Sequence, residues 1–166
     1  MLRYLACSLL FSLGLAQGLE LHIPAFASGQ IPAKYTCVGE NLSPGFTFAH
    51  LPPGTKSLAL LFWDPEFPKG LIPRWVLYDL PPTAEVGEGL ARAAALPNGL
   101  KQGQNGLGKI GYDGPCPAKS APYQIDLYAL NVATLGLPPG AAWHQVKAAI
   151  QKHRLQEAIV KVSFRR

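Results

Sequence analysis

Apolar positions along the chain come in short runs closed by proline or glycine, and several runs alternate apolar with polar residues as a half-buried strand does. Leu19 to Ile23, Phe46 to His50, Ser57 to Trp63, Trp75 to Leu80, Tyr123 to Asn131 and Ala158 to Phe164 are of this kind. In the last, Val160, Val162 and Phe164 share one face, and Lys161, Ser163 and Arg165 share the other. Tyr123, Ile125, Leu127 and Ala129 likewise lie on one face, with Gln124 and Asp126 beginning the opposite one. Such runs, joined by short connections, predict antiparallel sheets.

One segment departs from this period. Ala141 to Arg154 repeats as a helix, with Ala142, Trp143, Val146, Ala149 and Ile150 on one side and Pro138-Pro139-Gly140 setting its start. Lys152, His153 and Arg154 fall in its last turn, where cations meet the negative end of the helix dipole. Trp143, Val146 and Ile150 are expected to be buried, and His144 and His153 to lie at the surface.

The first residues follow another logic. Met1-Leu2-Arg3, an apolar run from Tyr4 to Leu15, and small residues at Gly14 and Ala16 read as a secretory signal peptide, with cleavage after Ala16. The run is too short for a permanent membrane span. Cys7 has only six residues before it and most of the apolar stretch after it, the reverse of a lipidation signal. Residues 17–166 are then one secreted or periplasmic domain, with no stable membrane anchor after cleavage.

Composition agrees with one strand-rich domain. The chain has 166 residues, 48% of them hydrophobic, with 17 glycines and 16 prolines, enough for a core and for many turns. Charged residues make up 15%, against roughly 25% in an average soluble domain, which excludes a coiled coil or a polyelectrolyte tail. The net charge of +5 is spread along the chain, apart from Arg165 and Arg166, so the clustered basic stripe of a nucleic-acid binder is missing. A mild positive charge instead favours a small anion or an acidic surface.

After signal removal, Cys37 and Cys116 are the remaining thiols. They form either one bridge, worth about 4 kcal/mol by loop-closure entropy, or two separate buried thiols. Two such ligands, without CxxC or His-x-x-x-His spacing, do not make a structural zinc site, and no cofactor is expected.

The loops carry the chemistry. Asp64-Pro65-Glu66 ends a strand, placing a carboxylate where turn N–H groups can hold it ionised. Gly103, Gly106, Gly108, Gly111 and Gly114, followed by Pro115 and Pro117, make a loop able to bring backbone close to a ligand. Together with Tyr35-Thr36-Cys37, Gly39-Glu40-Asn41, Ser43-Pro44, the stretch Trp75 to Pro82, and Gly111-Tyr112-Asp113-Gly114-Pro115-Cys116-Pro117, these segments resemble the phosphatidylethanolamine-binding protein family, in its bacterial Raf-kinase-inhibitor-like branch. The likeness runs from about Leu21 to Phe164.

That resemblance implies an antiparallel β-sandwich with a short C-terminal helix and a small surface pocket for phosphate-like anions. It also gathers the loops of Cys37 and Cys116 around the pocket. Asp64, Tyr123, Gly114, Pro115 and Pro117 match family pocket positions, and Glu66 lies in the matching acidic loop. Both pocket histidines are replaced: Arg74 stands before Trp75, and Ala121-Pro122 precede Tyr123. None of His22, His50, His144 or His153 takes their place in sequence. Arg74 is a permanent cation suited to a carboxylate or phosphate, so it serves either as the anion donor or as a partner that neutralises Asp64. Ser43, Ser120, Cys37 and Cys116 lack an evident activating base, so no catalysis is expected. Two roles remain: binding of a small phosphorylated or carboxylated ligand, or surface inhibition of a kinase or peptidase with a vestigial pocket.

Overall fold

The computed structural model describes residues 17–65 and 70–165. The signal-peptide segment, Met1 to Ala16, lies outside the described residues. In chain order the elements are β1 (Glu20–His22), β2 (Thr47–Ala49), β3 (Ser57–Asp64), β4 (Ile72–Leu80), β5 (Lys101–Gln102), β6 (Ala121–Leu130), α1 (Trp143–His153) and β7 (Arg154–Phe164). A five-stranded sheet has the order β5-β4-β3-β6-β7, and β1 and β2 form a second, two-stranded sheet. Every pairing between these strands is antiparallel. The expected mostly-β architecture with a helix near the C-terminus is therefore the observed one, and that helix is the one α-helix among the described residues. No helix among the described residues is long and apolar enough to cross a membrane.

The central strand explains why Ser57 to Trp63 reads as a nearly unbroken apolar run. All eight residues of β3 are buried, because the large sheet is covered on both faces. Leu58, Leu60 and Phe62 join Trp75, Leu77, Ile125 and Leu127 in a core closed by Leu21, Phe26 and Phe46 from the other layer. Ala59, Leu61 and Trp63 join Val76, Tyr78, Tyr128 and Leu130 beneath Val146 and Ile150 of α1. Each large apolar side chain so buried contributes about 1.5–3 kcal/mol relative to exposure.

The helix starts two residues later than its period implied. Gln145 reaches back so that its Oε1 accepts the Ala142 N–H at 3.3 Å. Val146 and Ile150 are buried, but Trp143 is only half-buried, because it sits on the rim with its ring edge-on to Trp63 at 5.9 Å. His144 is exposed and His153 half-buried. The helix passes into β7 at Arg154 with no intervening loop, and the His153 carbonyl accepts the Asn131 N–H at 3.0 Å.

Candidate functional site

The site forms where β3 ends and β4 begins. Asp64 faces Ile72, Trp63 faces Pro73 and Phe62 faces Trp75, so the register shifts at Arg74, which is the extra residue of a bulge. A bulge of this kind re-aims a side chain that regular pleating would send elsewhere. The re-aimed guanidinium donates from Nε and Nη2 to Asp64 Oδ2, at 3.0 and 2.8 Å. Both side chains are only 6% exposed, so the pair is shielded from water. The sequence assigned the holding of Asp64 to turn N–H groups; the structure has the Arg74 side chain donating to it.

A second carboxylate, missed at the sequence level, completes the cluster. Asp113 Oδ2 lies 3.7 Å from Arg74 Nη1 and 3.1 Å from Lys109 Nζ. Backbone bonds hold the glycine-rich loop against the bulge: the Arg74 carbonyl accepts the Asp113 N–H at 3.1 Å and Asn105 Nδ2 at 3.4 Å. Asn105 Oδ1 in turn accepts the N–H groups of Leu107 and Lys109, at 2.9 and 3.0 Å, fixing the loop's shape. Asp113 stood inside the Gly111 to Pro117 motif, but nothing in its spacing marks it as a partner of Arg74.

Gly114 and Pro115 are buried against the opening loop. A Cβ on Gly114 would come within 2.3 Å of the Tyr35 carbonyl oxygen, so a side chain there would force the opening loop away. The Gly114 N–H donates to Asn41 Oδ1 at 2.8 Å, and the Pro115 carbonyl accepts the Cys37 N–H at 3.1 Å. Cys37 and Cys116 are bridged, with Cα atoms 5.2 Å apart, which decides between the two states the sequence left open. The opening loop and the Gly111 to Pro117 stretch are thus joined covalently and through backbone bonds.

Beneath them lies an aromatic floor. Tyr112 is almost wholly buried, its hydroxyl donates to the Tyr35 carbonyl at 2.6 Å, and burial pushes its phenol well above the ordinary range. Phe62 stacks on Tyr112 at 5.8 Å and meets Tyr123 edge-on at 5.9 Å. Tyr123 is therefore part of the core packing and is 2% exposed. Pro117 is half-buried just past the disulfide, and Glu66 lies outside the described residues. His22 and His50 flank Glu20 in the two-stranded sheet, at 3.0 and 3.3 Å from its oxygens, with no part in this cluster. Among the described residues no group of three metal-ligating side chains occurs.

The loop order, the strand order and the position of the Asp64 turn can be set beside known proteins. The model of a family described as phosphatidylethanolamine-binding protein matches residues 23–165. The chain belongs to the phosphatidylethanolamine-binding protein family. Within that family it is 39% identical over 154 residues to an Aquifex aeolicus (strain VF5) protein described as UPF0098, covering 90% of this chain and 89% of that one. It is 37% identical over 139 residues to a Mycobacterium tuberculosis protein named as a lipoprotein, LppC, covering 81% of this chain and 66% of that one. Among solved structures it resembles a phosphatidylethanolamine-binding protein homologue, CT736 of Chlamydia trachomatis, with a TM-score of 0.79 and 32% identity over 90% of this chain and 98% of that one. Arg74, which the resemblance sets in the place of the first pocket histidine, lies directly against Asp64.

Proposed function

We propose that this is an exported, non-catalytic member of the Raf-kinase-inhibitor-like branch whose family pocket is neutralised from within and which acts through its surface on a protein partner. The observation that carries this reading is the Asp64–Arg74 pair. Asp64 takes two donors of the guanidinium that a ligand anion would need, and Asp113 stands beside the third nitrogen. With Lys109 included, two carboxylates face two cations among the described residues, so these four groups carry no net charge to attract a simple anion. Entry of phosphate would require breaking a buried pair, which costs about 3–5 kcal/mol.

Export is supported by the Cys37–Cys116 bridge, since such bonds persist in oxidising compartments, and by the lipoprotein name of a relative. The absence of a catalytic role rests on the lack of a histidine in the family-matched loops. The test is thermal unfolding with and without phosphate, phosphoethanolamine or acetate. A ligand of the native state must raise the melting temperature. None of the three is expected to do so. A saturable rise that Arg74→Ala abolishes would overturn the neutralised pocket and restore the alternative, a working anion site. For export, mass spectrometry of the protein from its native host is expected to find Gln17 as the first residue.

A further inference from the structure

A second concavity lies on the helix side of the large sheet, separate from the Asp64–Arg74 cluster. It encloses about 490 Å³ between the ends of β3, β6 and β7 and one side of α1. Trp63 and Tyr128 line it, with Leu71, Pro65 and Pro122 toward its rim. Leu71 is 48% exposed. Two ammonium groups also line it. Lys147 from α1 lies over the Trp63 ring, 5.0 Å from its centroid, and Lys161 projects from β7. Among the described residues no carboxylate lies within ion-pairing distance of either, so both are open to an incoming anion; Lys34, Lys101 and Lys109 by contrast each have a carboxylate partner.

The pocket also holds a negative charge, and its depth decides how a ligand must lie. Asp126 is 6% exposed and occupied: Oδ2 accepts from Trp63 Nε1 at 2.8 Å and from the Tyr128 hydroxyl at 3.0 Å, while Oδ1 accepts from Gln124 Nε2 at 2.7 Å. The inner wall therefore repels an anion. Lys161 is exposed and Lys147 half-buried, so the attractive charges stand outside the carboxylate. A ligand satisfies both conditions if its apolar part goes inward over the aromatic rings and its anionic group stays at the mouth. Lys147 is already steered by its cation–π contact, so less ordering is left to do on binding.

We propose that this groove is a binding site for a small organic anion with a planar apolar body, apolar end inward and anionic end between Lys147 and Lys161. The size fits, since pockets of 300–1,000 Å³ lined by aromatic side chains with a few polar groups are typical of small-molecule sites. The site stands independently of the Asp64–Arg74 cluster and of the reading given above for it.

The test uses 2-naphthoate and its uncharged counterpart 2-naphthalenemethanol, titrated by calorimetry into the wild-type protein, Lys147→Gln/Lys161→Gln and Arg74→Ala. Saturable binding of 2-naphthoate is expected, about tenfold or more tighter than the alcohol. It should weaken about tenfold or more in the double lysine variant and keep its affinity in Arg74→Ala. Unchanged circular dichroism and melting temperature in the lysine variant, and native circular dichroism at the titration temperature in Arg74→Ala, exclude misfolding as the cause. No saturable binding to the wild type, equal binding of acid and alcohol, or full affinity in the lysine variant would each overturn the proposal. Loss of binding in Arg74→Ala alone would move the ligand to the other cluster.

Discussion

Trp63 and Asp126 are diagonal neighbours on adjacent antiparallel strands, and the indole Nε1 donates to the buried carboxylate at 2.8 Å. Diagonal pairs on one face of a sheet are within reach of long aromatic side chains, and this one ties the cover of the helix-side core to a charge. Trp63→Phe keeps most of the ring but removes the donor. A loss of about 1–3 kcal/mol in stability is expected, measured by urea unfolding, because Asp126 is left with one fewer partner in a buried setting.

The Asp64–Arg74 pair gives a second expectation. Arg74→Met leaves a buried carboxylate without the guanidinium that donates to it, at a cost of about 3–5 kcal/mol. Asp64→Leu combined with Arg74→Met removes both charges, and most of that loss should be recovered. The double-mutant cycle by urea denaturation measures the coupling. Additive effects would show that the pair contributes little beyond packing.

Removing the bridge should be felt both globally and locally. Cys37→Ser with Cys116→Ser is expected to lower stability by about 2–4 kcal/mol. Both cysteines are exposed, so reduction by dithiothreitol should occur in the folded protein. Hydrogen exchange should then rise first at the Cys37 and Gly114 amides, which bond across the two loops.

Stability should also fall at alkaline pH for an identifiable reason. Burial raises the phenols of Tyr112 and Tyr128 above the usual value near 10, with Asp126 adding to the shift at Tyr128. The native state keeps these protons while the unfolded chain loses them, so the native form binds more protons and stability falls as pH rises past about 10. The contribution is complete below that pH. Each group adds a slope of about 1.4 kcal/mol per pH unit. Urea midpoints between pH 8 and 11 should show the decline, and Tyr112→Phe should make it shallower.

The fold was legible because burial on both faces of one sheet leaves runs of apolar residues that punctuation divides. Where it was not legible, the cause is local. Pro73 and Pro122 looked like strand boundaries, yet β4 begins at Ile72 and β6 at Ala121. Pro73 sits beside the bulge, and Pro122 pairs with Ser163 beyond the end of β3, so neither missing N–H interrupts the centre of a ladder. The first residues of β7 are exposed on both faces and carry no alternation, which let the helical period claim Arg154. β5 is two residues long and left no pattern. At the site, the residue types at Asp64 and Arg74 showed that a charge pair was available. That Asp113 would stand beside them depended on a bulge and on the fold of a glycine-rich loop, neither of which has a sequence period.

The Cys37–Cys116 link closes a covalent ring from the opening loop to the end of the glycine-rich loop. That ring contains β2, β3, β4 and β5, while β1, β6, α1 and β7 hang outside it. A peptide bond cut anywhere within the ring therefore does not divide the molecule, since the two pieces remain one covalent body through the sulfur atoms. The exposed stretch from Gly87 to Gly89 and the turn at Gly54 are natural places for such a cut. A protease that nicks there would leave one covalent body heavier by a single water, and releasing the fragments would take both reduction of the bridge and unfolding of the sheet that pairs β3 with β6.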